Sequence, residues 1–281
     1  MNKLKFPAVR TAILTVVLSG VIAPSAMALS AEDVQKSLFG ASAPDKPEYL
    51  PDTAKTDAPT QVAAAATPSG AGSLDFSTET PGAQPKSLTP AVGNWVIGQD
   101  KDNTVMVVDG RDWSRGQPAA GVADKARALY GERYAEFLDN VKAYAYFPYA
   151  VLDSVPDFKE GTISLRFKGI DGRVDQAAGI LFNLQPNGDY LTVRANALED
   201  NLVLFQFVKG KRSSVEWVRN TPTPSGEWHD LKVEVKGKTV KGYLNGKHYL
   251  TRELDEPISG RIGLWSKADS VVYFDDLKIE P

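Results

Sequence analysis

One stretch of the sequence carries polar side chains that could bind a ligand. Between positions 190 and 196 the apolar residues Leu191, Val193 and Ala195 alternate with polar ones. Successive side chains of a strand point to opposite faces, so this pattern predicts a strand whose small apolar face lies in a core. Arg194 and Asn196 are then predicted to lie on the outer surface of a sheet, where they could contact a ligand.

Three more polar residues are predicted to join this surface. Gln176 precedes a run that could pair with the strand, and Glu199 and Asn201 follow it in the adjoining hairpin. Amides, guanidinium groups and carboxylates supply hydrogen-bond donors and acceptors for a polar ligand. The same groups also build ordinary hydrogen-bonded hairpins, so ligand contact and a structural network both remain open.

A second group of candidates lies near the C-terminus, at Trp265, Lys267 and Asp269. Trp265 could stack on the apolar face of a sugar ring, or it could be a buried residue of the core. Leu264 and Trp265 must face opposite sides of their strand. Lys267 and Asp269 could bind substrate, or they could pair across a turn at the surface, where such a contact contributes little stability.

Composition excludes several other kinds of chemistry. The chain has no Cys, which removes disulfides, Cys-ligated metals and thiol nucleophiles. Its two histidines, His229 and His248, are too few for a His₃ zinc centre and leave at most two candidates for a Ser-His-Asp triad. A net charge of −3 argues against non-specific nucleic-acid binding. Catalysis would therefore rest on carboxylates, Lys, Arg or Tyr.

The spacing of the carboxylates does not favour ordinary glycanase chemistry. Such enzymes need two carboxyl groups roughly 5–9.5 Å apart, and the E-x-D-x-E pattern that places them on one face of a strand is absent. No motif requires a cofactor. A structural Ca²⁺ could bind at the loop 100–103 or at Asp275-Asp276, although Val105 occupies the place where an EF-hand needs Gly.

The elements that must position these residues are predicted to be strands. Ile163, Leu165 and Phe167 alternate with polar residues, and Asn245-Gly246 is the dipeptide favoured by a tight hairpin turn. Eight runs between turn signals have this character: Thr162–Lys168, Ala177–Leu184, Tyr190–Ala195, Leu202–Val208, Asp230–Lys236, Thr239–Leu244, Arg261–Ser266 and Val271–Ile279. Strands at this spacing predict an all-β sandwich of two antiparallel sheets.

One segment between an early strand (Val105–Val108) and the later ones departs from this pattern. Over residues 122–141 apolar side chains recur every three or four positions, which predicts an inserted amphipathic helix over about 121–142. Its apolar stripe could pack on the sandwich, act as a lid over a ligand groove, or bind a protein partner.

The N-terminal third is predicted to contain targeting and linker segments. Residues 1–28 have a basic start, an apolar run and a small-x-small site at Ala26-Met27-Ala28, as in a cleaved secretory signal. Residues 29–90 are rich in Pro, Ala and Thr and are predicted to be a disordered linker, with a short helix over residues 30–40 that could dock a partner. The folded domain is predicted at 91–281, in a periplasmic or secreted protein that does not span a membrane.

Several motifs, in order along the chain, resemble one bacterial family. The segments are 175–182 (DQAAGILF), 190–201 (YLTVRANALEDN), 226–234 (GEWHDLKVE), 243–247 (YLNGK) and 260–276 (GRIGLWSKADSVVYFDD). Together they resemble the concanavalin A/laminin G-like jelly rolls that comprise 3-keto-disaccharide hydrolase and 3-keto-glucoside lyase/hydratase domains. The resemblance covers roughly residues 91–281. This sequence departs from the usual short form by inserting residues 112–143.

The resemblance implies a jelly-roll sandwich that contacts a sugar or modified sugar on a concave sheet face. A 3-keto sugar has an acidified C–H beside its ketone, so elimination needs a base and an electrophile. The resemblance allows Glu199 or Asp175 as the base and Arg194 or Lys267 as the electrophile. Three hypotheses follow: a 3-keto-glycoside hydrolase or lyase, a non-catalytic glycan-binding module, and an envelope protein that binds another protein.

Overall fold

The computed structural model of the chain describes residues 72–112 and 146–280, and the regular structure in these ranges consists of strands. They are β1 (Gly72–Leu74), β2 (Leu88–Val92), β3 (Trp95–Asp100), β4 (Asn103–Asp109), β5 (Tyr149–Leu152), β6 (Gly161–Asp171), β7 (Ala177–Leu184), β8 (Tyr190–Asn196), β9 (Asn201–Val208), β10 (Lys211–Arg219), β11 (His229–Lys236), β12 (Thr239–Leu244), β13 (Lys247–Glu253), β14 (Arg261–Ser266) and β15 (Val271–Glu280).

The strands form two antiparallel sheets. One has the order β13-β12-β11-β6-β15-β4-β3, with β1 also paired to β15, and the other has the order β10-β9-β8-β7-β14-β5-β2. We call them the eight-stranded and seven-stranded sheets. The chain passes repeatedly from one sheet to the other, for example from β6 to β7 and from β14 to β15. The predicted two-sheet β-sandwich is confirmed.

Apolar side chains from both sheets fill the space between them. In the eight-stranded sheet Ile163 is paired with Val233 and Leu165 with Leu231, so the alternating runs of β6 and β11 bury matching faces. In the seven-stranded sheet Leu191, Val193 and Ala195 of β8 enter the same core. Burial of one such aliphatic side chain contributes about 1.5–3 kcal/mol, which makes this face of each strand the main determinant of register.

The eight predicted strands all lie within observed ones, and three of them, β7, β12 and β14, have the predicted bounds. The predicted strand Val105–Val108 lies within β4. Six strands of the sheets correspond to none of the predicted runs: β1, β2, β3, β5, β10 and β13. In β10 and β13 most residues are polar and largely exposed, so neither shows the alternation on which the predictions rest.

The predicted linker is wrong for its last part. Residues 72–90 contain β1 and the start of β2, and the side chains of Phe76 and Leu88 are buried in the core. Glu79 holds this segment in place, because its carboxylate accepts hydrogen bonds from the backbone N–H groups of Lys86 and Ser87 at 3.1 Å. A few well-placed contacts order a stretch whose composition alone favours disorder.

Three predictions lie outside the described residues: the secretory signal at 1–28, the short helix at 30–40 and the amphipathic helix at 122–141. The remainder of the predicted linker, residues 29–71, lies outside them as well. In the ranges that are described, no helix has the length and apolar character to cross a membrane.

Candidate functional site

The face of the seven-stranded sheet that points away from the core, here called the outer face, carries Arg194 and Asn196, but it is not open to solvent. Arg194 is 1% exposed and Asn196 is fully buried. A second apolar cluster, which includes Tyr190, Phe207 and Trp265, lies on this side of the sheet. The prediction of a solvent-exposed surface is therefore wrong, because alternation shows which face a side chain occupies and not what covers that face.

Four charged residues converge on the outer face, and we call Asp175, Arg194, Glu199 and Lys267 the charged cluster. Lys267 Nζ lies 2.9 Å from Asp175 Oδ1 and 3.7 Å from Glu199 Oε1. Arg194 Nη2 donates to Glu199 Oε2 at 2.7 Å. Two carboxylates and two cations from three segments, the β8–β9 hairpin, the loop before β7 and the turn after β14, thus form one connected network.

The β8–β9 hairpin positions the Arg194–Glu199 pair. Asn196 and Asn201 are opposite each other at its end, and the Glu199 backbone N–H donates to the Asn196 carbonyl at 3.2 Å. Asn201 accepts a short hydrogen bond from Arg194 Nη1 and donates from Nδ2 to Glu199 Oε2 at 3.0 Å. Asp200 has a φ of 47°, so the residue just after Glu199 adopts the left-handed backbone conformation. The predicted adjacency of these four polar residues in one hairpin is observed.

Asn196 links the hairpin to the loop that precedes β7. Its Nδ2 donates to Asp175 Oδ1 at 2.7 Å, and its Oδ1 accepts from the Gln176 backbone N–H at 3.1 Å. The Gln176 side chain turns away from the charged cluster, because it donates to the Gly172 carbonyl and accepts from the Ser225 hydroxyl. Gln176 therefore acts here as part of a structural network.

Lys267 and Asp269 do not pair with each other, contrary to one of the two interpretations of their spacing. The Asp269 carboxylate accepts from the backbone N–H groups of Arg173, Val174 and Asp175 at 2.9–3.1 Å. Ala268 between them has a φ of 50°, which separates the two side chains. Asp269 thereby fixes the loop that presents Asp175 to Lys267.

Trp265 lies within the second apolar cluster, fully buried. Its ring is stacked against Phe147 at 5.8 Å, and its Nε1 donates to Tyr190 Oη at 3.1 Å. Leu264 points into the core between the sheets, as the predicted alternation requires. Of the two alternatives for Trp265, the structure therefore shows core burial. The indole has no free ring face for a sugar.

The surroundings of the cluster shift the pKa values of Glu199, Asp175 and Lys267. Burial raises the pKa of Glu199, but the charges of Arg194 and Lys267 and the hydrogen bond from Asn201 outweigh it and hold that pKa at about 2. Burial raises the pKa of Asp175 and lowers that of Lys267, each opposed by the charge of the other. Glu199 is thus a fixed anion whose side chain is 26% exposed, whereas Asp175 is fully buried with no hydrogen-bond partner at Oδ2.

Two residues of β10 that sequence reasoning missed lie on the same outer face. Trp217, at 40% exposed, pairs with Val203, and Arg212 pairs with Phe207. A strict period of two would place positions 212 and 217 on opposite faces. A bulge between Ser214 and Glu216 shifts the register and brings both to the outer face. Nothing in a mostly polar strand marks that bulge before the pairing is known.

The places considered for Ca²⁺ have partners within the protein. Asp100 Oδ2 lies 2.8 Å from Lys168 Nζ, and Asn103 Nδ2 donates to Asp275 Oδ2 at 2.7 Å. His229 Nε2 is 3.0 Å from the Pro224 carbonyl. Within residues 72–112 and 146–280, no three His, Asp or Glu side chains are arranged to hold a metal ion. A structural Ca²⁺ remains a prediction.

Gly172 sets the path of the loop that holds Asp175. Its φ is +136°, and a Cβ there would lie 1.9 Å from the Asp175 carbonyl oxygen. We expect Gly172→Ala to lower the free energy of unfolding by about 2 kcal/mol, because backbone strain and a steric clash act together. Urea unfolding followed by circular dichroism measures this loss.

Gly226→Ala is the matched control for Gly172→Ala. Gly226 also has a positive φ, +79°, but a Cβ there meets nothing within 4 Å. This variant should lose only about 1 kcal/mol, the strain of a left-handed Ala. Equal losses in the two variants would show that the Asp175 loop moves freely.

Residues 149–280 match the sequence model of the 3-keto-alpha-glucoside-1,2-lyase-like domain family. The matched range contains the whole charged cluster, and the match confirms over residues 149–280 the resemblance seen in the sequence motifs. A search of curated proteins found no match.

A comparison with solved structures gives matches of low sequence identity. The carbohydrate-binding module CBM66 from Bacillus subtilis is 15% identical, with a TM-score of 0.49, over 72% of this chain and 99% of that one. The Bacillus licheniformis beta-glucanase is 10% identical, with a TM-score of 0.37, over 48% and 71%. A galectin from Caenorhabditis elegans is 16% identical, with a TM-score of 0.34, over 44% and 90%.

Proposed function

We propose that this chain is an exported carbohydrate-active protein that cleaves 3-keto-glycosides at the charged cluster. The observation that carries the proposal is the convergence of Arg194 and Lys267 with Asp175 and Glu199 on the outer face. A carboxylate base next to a fixed cation is what enolisation of a ketone requires. The family match over residues 149–280 supports the same chemistry.

The proposed reaction begins with removal of a proton from C2 of the sugar, between the ketone at C3 and the anomeric carbon. The electron pair of the C–H bond moves onto the ketone oxygen and forms an enolate. When the carbonyl re-forms, a double bond forms between C1 and C2, and the glycosidic oxygen leaves and takes up a proton. Addition of water across that double bond completes hydrolysis. No oxidant is consumed, because the substrate already carries the ketone.

Glu199 is the proposed base, because within the described residues it is the carboxylate of the cluster that reaches solvent. Arg194 is the proposed electrophile, since its Nε has no hydrogen-bond partner and can donate to an enolate oxygen. When the substrate oxygen takes hydrogen bonds from Arg194, Glu199 loses part of its pairing and becomes more basic. Asp175 and Lys267 form the second ion pair of the cluster. They serve as positioning residues, because Lys267 also lies close to Glu199.

The test is turnover of 3-keto-glycosides and their parent glycosides, with Ca²⁺ or EDTA, followed by mass spectrometry. The wild-type chain is expected to convert only the keto sugars. Glu199→Gln is expected to lower the rate at least about a hundredfold, as loss of a general base does.

Asp200→Asn is the matched control for Glu199→Gln. It removes the adjacent carboxylate, and Asn tolerates the left-handed φ of 47° at this position, so turnover should match wild type. No turnover of any keto sugar by the folded wild-type chain would overturn the enzymatic proposal.

A second candidate function is non-catalytic glycan binding, and one observation favours it. Trp217 is 40% exposed beside the cluster, with its ring 5.8 Å from Arg194 Cζ, and an exposed indole is a platform for a sugar ring. In that case binding of parent glycosides would weaken in Trp217→Ala without any turnover in wild type.

A further inference from the structure

Arg212 is a cation of the outer face that the charged cluster leaves without a counterion. It lies on β10 opposite Phe207, and its Nη1 is buried with no hydrogen-bond partner. Within the described part of the chain, the ion pairs shorter than 4 Å include none to Arg212. Burial lowers its pKa to about 10, so the guanidinium is still charged at neutral pH.

The carboxylates whose charges act on Arg212 include those of Asp175 and Glu199, and both are already engaged. Glu199 pairs with Arg194, and Asp175 pairs with Lys267. An unpaired buried donor on a charged group costs more than the same donor with an acceptor. Arg212 therefore has the capacity to bind one more anionic group.

Arg212 lies against aromatic side chains of the outer face. Its Cζ is 4.3 Å from the Phe205 ring centroid and 5.1 Å from that of Phe147. Arg194 lies 5.3 Å from the same Phe205 ring, so both guanidinium groups border one aromatic side chain. A ligand that reaches Arg194 could reach Arg212 as well, across the width of a single ring.

We propose that the substrate is an acidic sugar, a glycoside of a uronic acid, whose carboxylate binds Arg212 while its ring lies at Arg194 and Glu199. This inference rests on the proposed function and names its substrate class. A carboxylate has the single negative charge that balances one guanidinium and matches its planar arrangement of N–H groups. A phosphate dianion would instead leave one negative charge unbalanced beside the single guanidinium of Arg212.

Calorimetric titration of the full chain with paired ligands tests the proposal. The probes are the methyl glucosiduronates and methyl glucosides, both anomers of each, and their 3-keto forms are used for turnover. Wild type is expected to bind or convert the uronide at least about tenfold better than the neutral sugar, from one charge-assisted hydrogen-bonded pair. Arg212→Met should remove this preference, so that the folded variant handles the uronide no better than the neutral sugar.

Lys211→Gln is the charge-matched control, because it removes the neighbouring cation, which is exposed, and should preserve the preference. Thermal unfolding of each variant shows that it is folded. Equal handling of neutral and acidic sugars by wild type would overturn the acidic-sugar inference and leave the proposed function standing. A preference that survives in folded Arg212→Met would also overturn it. Failure of wild type to bind or convert any of these sugars would reject both.

Discussion

Lys267→Met is expected to lower the free energy of unfolding by about 3–5 kcal/mol, the largest stability change among the variants considered. Lys267 and Asp175 are both almost completely buried and lie 2.9 Å apart. Removal of the ammonium leaves the buried Asp175 carboxylate without its cation, and an uncompensated buried charge costs several kcal/mol. Met matches the length of the Lys side chain, so the loss reflects charge rather than a cavity. Urea unfolding at pH 7 measures it.

The double variant Asp175→Asn/Lys267→Met separates charge from packing. Removal of both charges should restore at least about half of the lost stability, because neither group is then charged and unpaired. In Lys267→Met alone, the folded-state pKa of Asp175 is raised further above its unfolded value. Its stability deficit should therefore shrink as the pH falls toward 4 and grow as the pH rises.

Lys232→Met is the control for the buried pair. Lys232 and Glu234 lie 2.6 Å apart, but both side chains are about one-third exposed, and such surface pairs contribute about 0–1 kcal/mol. A loss in Lys267→Met no larger than in Lys232→Met would mean that solvent reaches Asp175 readily. The charged cluster would then be an open site rather than a closed one.

Local sequence patterns predicted the strands that bury one face in the core. The apolar residues Ile163, Leu165 and Phe167 alternate with Ser164 and Arg166, and β6 forms where that alternation occurs. Side-chain alternation depends only on strand geometry and on burial of one face. A single sequence therefore contains enough information to locate such strands and to assign their inward faces.

The burial of the outer face could not be predicted from these patterns. Trp265 of β14 and Arg194 of β8 lie on the two sides of β7, on the face that alternation assigns to them, yet both are buried. Their burial depends on tertiary neighbours, among them Phe147 against Trp265. Some sheets of a sandwich expose one face to solvent, and others bury both faces. The sequence pattern of a single strand differs little between the two cases.

The members of the candidate site were predicted better than its contacts. Asp175 and Lys267 are 92 positions apart in the chain, and the resemblance named both without showing that they pair. Trp217 and Arg212 were missed, because the bulge in β10 that aligns them is visible only in the strand register. The site is thus encoded partly by strand pairing, which residue types alone do not specify.

Acid is expected to destabilise wild type through Glu199, by on the order of 3 kcal/mol between pH 4.5 and 2. The charges around Glu199 hold its pKa at about 2, against a value of 4.5 for an unperturbed Glu. Because the folded-state pKa is the lower of the two, this contribution is fully present above pH 4.5 and is lost as the pH falls toward 2. Urea unfolding of wild type and Glu199→Gln at successive pH values measures it as a difference that closes in acid.

Asp200→Asn provides the comparison that assigns this pH dependence to one carboxylate. Asp200 is the next residue of the same turn and is exposed, and within the described ranges its carboxylate has no ion pair shorter than 4 Å. Its removal should leave the acid dependence of wild type unchanged. If Glu199→Gln retained the full acid dependence, the Arg194–Glu199 pair would be too solvated to hold a fixed anion. The proposed base would then lack the electrostatic setting in which a substrate could release it from Arg194.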